Sequence, residues 1–242
     1  MPSPGAAAHA PAAPPRDGAE IREMFGAVAE RYDFLNHVLS VGLDVLWRRR
    51  AAAIEGIDGE PVLDLCCGTG DQALALSARG ARVAAVDFCV PMLALAAHKY
   101  ADRKRPPQGL AGDALELPFA AETFAAATVA FGLRNVADLG AALSEILRVL
   151  RPGGRVAFLE FALPRRRPVR AAYLFYFRRL LPHIGGWISP RASAYSYLPA
   201  SVVEFPQRDA FCRHMAAADF RSAAWKDLSA GTVVLYTGER AA

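Results

Sequence analysis

The sequence predicts an α/β fold: a doubly wound, mostly parallel sheet with helices on both faces. Three observations predict it. From residue 62 onward, short apolar runs of strand length alternate with segments of helical period. The first run, Val62-Leu-Asp-Leu-Cys66, passes into Cys67-Gly-Thr-Gly70, a glycine turn that opens a helix. Pro and Gly punctuate the segments instead of interrupting them, with Pro91 at a helix start and Arg151-Pro-Gly-Gly154 at a helix end.

The elements follow in order. Residues 1–18 hold five Pro and six Ala with no aromatic or β-branched residue, and they predict a disordered tail. Residues 19–242 then form one domain, a comfortable length for a single core. Met24, Phe25, Val28 and Tyr32 recur at helical spacing, as do Leu35, Val38, Leu39, Leu43, Leu46 and Trp47, so two helices precede the sheet. Strands are expected at Val62–Cys66, Arg82–Val86, Gly109–Ala111, Thr123–Ala130 and Arg155–Phe161. Helices are expected around Gln72–Ser77, Pro91–Lys99 and Leu139–Leu150, the last capped by Asp138. Phe211–Met215 reads as a helix, and Ser222–Lys226 with Thr232–Thr237 as a closing hairpin.

Composition excludes several classes. The chain is 53% hydrophobic and 21% charged, which is globular. No apolar run reaches the roughly 18 residues of a spanning helix, and the N-terminus lacks the apolar core of a secretory signal. Cys66, Cys67, Cys89 and Cys212 show no metal spacing, so no metal is expected, and reduced thiols suit a cytoplasmic protein. Net charge is +4, but residues 161–203 hold seven arginines and no acid, leaving −3 elsewhere. Eight of the 23 aromatics share that stretch. A basic, aromatic segment suits an anionic membrane surface, and residues 161–187 are the expected contact. A helix with solvated arginines gives the same pattern. No nucleic-acid module accompanies the arginines, so no nucleic-acid partner is expected.

The glycine turn points to a nucleotide-like cofactor. Gly68 and Gly70 let the backbone approach a ligand where a Cβ would clash, and the following helix offers unpaired N–H groups. Asp87, 19 residues after Gly68, ends the second strand, where a carboxylate can accept both ribose hydroxyls. A tight strand-to-helix connection alone would look the same. Ala73 completes Gly-x-Gly-x-x-Ala, which keeps a dinucleotide open. Asp64 and Asp71 bracket the turn with negative charge, which favours a cationic sulfonium over a pyrophosphate. Asp113 follows the third strand, near where an adenine amino group would lie.

Val62–Asp71 together with Phe131-Gly-Leu-Arg-Asn135 resembles the quinone C-methyltransferases of the menaquinone and ubiquinone pathways, a branch of the class I S-adenosylmethionine enzymes. The resemblance covers about residues 20–240. It implies a Rossmann-like, seven-stranded sheet with a helical lid over residues 19–54. It implies S-adenosylmethionine as cofactor, with Asp64, Gly68, Thr69 and Gly70 at the methionine end, Asp87 at the ribose, and Asp113 with Ala114 at the adenine. Ala130 stands where the family often has Ser. The acceptor implied is a lipophilic polyprenyl quinol: demethylmenaquinol, or alternatively the ubiquinol precursor. The stretch 161–203 would face that substrate and the inner membrane surface; a homodimer is left open, as is a non-catalytic subunit of a quinone-synthesis complex.

Carbon methylation needs an electron-rich ring carbon and loss of a ring proton. A cation can stabilise the phenolate that supplies the electrons. Arg134 and Asn135 follow the buried strand Thr123–Ala130 and fit that need, although Arg134 could equally cap a strand end or pair with an acid. Arg31-Tyr-Asp-Phe-Leu-Asn-His37 resembles the family's lid motif; Tyr32 would present its hydroxyl to the quinol, or else be an amphipathic core-edge aromatic. His37 reads as a surface helix residue. Leu228-Ser-Ala-Gly231 resembles the family's ending, with Ala230 where a second glycine is commoner.

Overall fold

The computed structural model describes residues 18–176 and 193–242. The expected tail, up to residue 17, and the stretch 177–192 with Arg178, Arg179 and Trp187 lie outside the described residues. Helices α1 (Gly18–Leu39) and α2 (Leu43–Ala51) come first. Then follow β1 (Pro61–Leu65), α3 (Asp71–Ser77), β2 (Arg82–Asp87), α4 (Val90–Tyr100), β3 (Gln108–Ala111) and β4 (Phe124–Ala130). A single 3₁₀ turn at Leu133–Asn135 leads to α5 (Leu139–Val149), β5 (Leu150–Phe161) and α6 (Arg167–Phe175). Helices α7 (Ser193–Glu204) and α8 (Asp209–Ala217) precede β6 (Phe220–Leu228) and β7 (Val233–Arg240).

The seven strands order as β3-β2-β1-β4-β5-β7-β6. Those from β3 through β5 pair in parallel, and β7 lies antiparallel between β5 and β6. The chain winds outward from β1 to β3 and then restarts at β4 on the other side of β1. That reversal leaves a crevice at the carboxyl ends of β1 and β4, where open α/β sheets bind ligands. Alternation along the strands divides the core. Leu63, Leu65, Val129 and Phe158 face α5 and α8, against Ile146 and Phe211. Val62, Ala126, Ala157 and Leu159 face the other way, against Trp47 and Ala51 of α2 and Leu76 of α3. Helix α1 packs on α4 through Ala29, Cys89 and Met92.

Asp138 caps α5 as expected, its side chain accepting from the Ala141 N–H at 3.0 Å. One boundary differs. Arg151-Pro-Gly-Gly154 does end the helix, but the strand starts at once at Leu150. Phe124 pairs with Leu150 and Ala126 with Arg155, so residues 151–154 bulge out opposite Ala125. A bulge needs no ladder N–H, which is why Pro152 is tolerated there.

The departure at Ala230 has a structural cost. Ala230 sits at φ 58°, ψ 22°, in the left-handed region, on an exposed turn between β6 and β7. That region disfavours a Cβ by about 1–2 kcal/mol, of which glycine's larger unfolded-state entropy returns about 0.4–1 kcal/mol. Ala230→Gly is therefore expected to stabilise the protein by about 0.5–1 kcal/mol. Denaturant midpoints of parent and variant at equal m-value check it.

Candidate active site

Strand ends build the first half of the site. Cys66 and Gly68 after β1, Asp87 of β2, Asp113 and Ala114 after β3, and Ala130 of β4 line one crevice. Asp64, in the strand β1 that leads to the turn, is fully buried. Its Oδ1 accepts from Thr128 Oγ1 at 2.9 Å, across the β1–β4 register, while its Oδ2 has no partner among the described residues. Burial raises its pKa from the ordinary 3.8 to about 7, against the pull of Thr128 and Arg48. An orphaned buried carboxylate oxygen is costly, and a cationic donor would satisfy it.

Asp87 fastens the turn. Its Oδ2 accepts from the Gly68 N–H and its Oδ1 from the Cys89 N–H, each at 2.8 Å. Burial raises its pKa, with those backbone donors opposing. Each oxygen keeps a lone pair for a hydroxyl donor. The two glycines are not equivalent. Gly68, at φ +55°, has no heavy atom within 4 Å of where a Cβ would stand, so a ligand has room. At Gly70, φ +87°, a Cβ would meet the Tyr100 hydroxyl at 2.1 Å, so protein packing fills the space expected there for a ligand. At the rim, Asp113 Oδ1 accepts from the Leu115 N–H at 2.9 Å.

The charge bracket expected around the turn is reduced to one acid. Lys99 on α4 pairs with Asp71 at 2.7 Å and with Asp33 of α1 at 2.5 Å, and the Thr69 hydroxyl donates to Asp33. Only Asp64 remains uncompensated by an ion pair. His37 is half-buried and bridges two helices, its Nδ1 2.7 Å from Asp44 and its Nε2 3.9 Å from Asp71.

The second half is a larger apolar cavity of about 380 Å³ between α1, α2, α6, α7 and the ends of β4 and β5. Phe25, Tyr32 and Phe131 line both spaces, so the crevice and the cavity meet there. Trp47, Phe161, Tyr176 and Leu198 form apolar wall, and Tyr176 donates to the Leu39 carbonyl at 3.2 Å, tying α6 to α1. Arg134 lines this cavity and is bound on one side. Its NH1 donates to Glu160 Oε2 at 3.0 Å and to the Phe131 carbonyl, while its Nε is buried with no partner among the described residues. Burial works against its charge, yet the fully buried Glu160 carboxylate outweighs it, and Arg134 holds its proton more firmly than usual. Both readings of Arg134 therefore meet in one side chain: it pairs with an acid and it faces a cavity. Asn135 Oδ1 accepts from the Tyr197 hydroxyl at 2.7 Å, and Asn135 lines the crevice side.

Sequence reasoning missed Glu160, Tyr197 and Arg48. Glu160 had a signal, a lone acid in the apolar strand Val-Ala-Phe-Leu-Glu-Phe161. Tyr197 was given no role, and neither was Arg48, beside Trp47 in a run of three arginines.

Comparison with known proteins places the chain in a family. The family model described as the ubiE/COQ5 methyltransferase family matches residues 16–240. A demethylmenaquinone methyltransferase of Thermus thermophilus is 46% identical over 90% of this chain and 100% of its own. A ubiquinone/menaquinone biosynthesis C-methyltransferase UbiE of Geobacter sulfurreducens is 45% identical over 92% and 89%. Among solved structures, an S-adenosylmethionine-dependent methyltransferase of Thermotoga maritima shares the fold at TM-score 0.63 and 19% identity, covering 90% of this chain and 99% of its own.

Asp64 generates a pH prediction. A carboxyl whose pKa rises on folding favours the folded state at low pH, and that contribution is lost as pH climbs from about 4 to about 7. Asp64→Asn removes the titration. The Tm of the variant relative to the parent is therefore expected to be higher at pH 8 than at pH 5; a pH-independent difference would place the Asp64 titration elsewhere.

Proposed function

The chain belongs to the ubiE/COQ5 methyltransferase family, and from that premise we propose that it methylates a ring carbon of a reduced polyprenyl quinone, demethylmenaquinol, using S-adenosylmethionine. One observation carries the reading. A crevice lined by Gly68, Asp87 and Asp113 meets, at Phe25, Tyr32 and Phe131, an apolar cavity that contains Arg134.

The residues present fit the cofactor. Asp64 Oδ2 would take the ammonium group, with Gly68 and Thr69 forming the backbone bed of the methionine end. Asp87 would accept the ribose hydroxyls, and Asp113 with Ala114 and Ala130 would border the adenine and the methionine chain. When bound, the cofactor supplies an electrophilic methyl on a sulfonium. The apolar cavity would hold the quinol and exclude water. Arg134 would donate to the reacting oxygen and stabilise it as phenolate, with Glu160 fixing the guanidinium plane. Tyr32 would stand where the two spaces meet and orient the ring, and Asn135, held by Tyr197, would do the same from the crevice side. The ring proton that methylation displaces would leave to water. Arg134 is a poor acceptor for that proton, because Glu160 strengthens its hold on its own.

Labelled S-adenosylmethionine with a short-chain demethylmenaquinol under reducing conditions tests the reading: label in the naphthoquinol is expected, and none would end it. Arg134→Lys is expected to lower kcat by about 10²–10³, the cost of one preorganised donor, because Lys keeps charge but not the planar fork. Cofactor affinity by calorimetry should change far less. Near-full kcat with both substrates saturating would leave Arg134 as a structural partner of Glu160.

We further propose peripheral contact with an anionic membrane. Among the described residues no helix is long and apolar enough to cross one. Arg166, Arg167 and Arg170 are exposed on and beside α6, and Phe175 on α6 with Phe34, Val38 and Val41 near the end of α1 present exposed apolar side chains beside the cavity. Arg165 is engaged, its guanidinium 5.8 Å from the Trp225 ring. Replacing Arg166, Arg167 and Arg170 with Ser should weaken binding to anionic vesicles by about 1 kcal/mol per residue, with little change in turnover of a water-soluble quinol. Equal vesicle binding would return these residues to a solvated face.

A further inference from the structure

The charges of the cavity do not balance in the way its proposed chemistry needs. Arg134 is matched by Glu160 at 3.0 Å, so the pair brings directional donors but no net charge. Asp44, the acid in the lining, is held by His37 at 2.7 Å and by the Ser40 hydroxyl at 2.7 Å. Arg48 is the other cation in the lining. Among the described residues it forms no ion pair, and its Nε is buried with no hydrogen-bond partner. Its guanidinium carbon lies 5.4 Å from the centre of the Phe131 ring, and that of Arg134 lies 5.4 Å from the Phe161 ring. Phe131 and Phe161 stack at 4.5 Å and 28°. Trp47 closes edge-on against both, at 6.1 and 6.4 Å. A stacked aromatic pair thus carries one guanidinium beside each ring; one is held in an ion pair, and the other forms none among the described residues, although Asp64 feels its charge.

We propose that Arg48 is a further catalytic residue, the counter-ion of the ionised quinol oxygen, while the Arg134–Glu160 pair orients that oxygen without supplying net charge. The inference rests on the quinol reading above. A cation with no ion-pair partner beside an apolar cavity lowers the pKa of a bound phenol, because opposite charge favours the ionised form and a lowered dielectric amplifies it. The O–H bond of the quinol breaks, its proton passes to water, and the electron pair left on oxygen makes the ring carbon nucleophilic. Arg suits this task better than Lys does at an aromatic wall, since a planar guanidinium can lie along Phe131 and still offer N–H groups at its edge.

Other groups facing Arg48 have to be separated from it in a pH experiment. Asp64, on β1, is the acid that feels its charge, and it titrates at about 7. Tyr173, Tyr176 and Tyr197, from α6 and α7, are all pushed upward by burial. They stay protonated where Asp64 does not.

The test uses Arg48→Met, Arg48→Lys and the parent, with kcat measured against pH at saturating cofactor and quinol. A second measurement needs no turnover: the absorbance titration of 1-naphthol, whose phenol and phenolate differ in spectrum, bound to each protein. Arg48→Met is expected to move the rising limb of kcat upward by about one pH unit or more, a tenfold loss near neutrality. It should raise the pKa of bound naphthol in parallel, while Arg48→Lys restores most of both. The shift must persist in an Asp64→Asn background. S-adenosylmethionine affinity should stay within about threefold of the parent, less than one tenfold step of binding energy. An unmoved limb and naphthol titration would make Arg48 a packing partner of Phe131 and overturn the proposal. So would a loss confined to cofactor affinity, which would put Arg48 on the methionine carboxylate. A parent that methylates no quinol removes the underlying reading, and that outcome is visible before any variant is made.

Discussion

Everything in the site depends on the buried Asp87 carboxylate and the two N–H groups it holds. By bridging Gly68 and Cys89 it locks the turn after β1 to the end of β2. With the turn fixed, the crevice at the chain reversal keeps its width, and the start of α3 and the start of α4 are set relative to each other. Two buried acids, Asp64 and Asp87, stand on neighbouring strands with their pKa values raised by burial. Such a pair is poor design for stability alone. It is good design for a ligand that brings hydroxyls to one carboxylate and a cation to the other.

The second space obeys a different rule. Here charge is mostly cancelled within the protein, Arg134 by Glu160 and Asp44 by His37 and Ser40. The walls are aromatic and aliphatic. A cavity of this kind admits a flat, lipophilic ring, and its few polar atoms fix orientation. The crevice and the apolar cavity meet at three aromatic side chains, and two of these, Phe25 and Tyr32, come from α1. The helix that the sequence marks as a lid is therefore the partition as well.

Legibility in the sequence followed the range of the interaction. Period-2 and period-3.6 patterns placed most of the strands and helices to within two or three residues, with β5 starting five residues early, and the Asp138 cap was readable because its partner is three residues away. Helix α7 was not assigned; it runs through Pro199, which local rules treat as a breaker, and tertiary packing around Tyr197 overrides them. The glycine turn showed where a cofactor would lie, but not that Lys99 already neutralises Asp71 from 28 residues away. Glu160 lies 26 residues from Arg134, and Tyr197 lies 62 from Asn135. No spacing rule links residues so far apart. Arg48 drew no notice because charge on a helix end is usually solvated, and its approach to Phe131 is a tertiary contact.

The placement of β7 bears on how the protein is made. It is the last strand in the chain yet sits inside the sheet, between β5 and β6. A ribosome delivers the β1–β4 crevice long before it delivers Val233–Arg240. Until then β5 has an open edge, β6 has no neighbour, and the Ser229 hydroxyl that receives the Trp47 indole N–H at 2.9 Å is absent or unplaced. The nascent chain can thus assemble its nucleotide-side half during synthesis, whereas the wall that α2 gives to the apolar cavity waits for the final strand. Until that moment an unpaired edge beside an oily hollow is exposed, the kind of surface that chaperones shield.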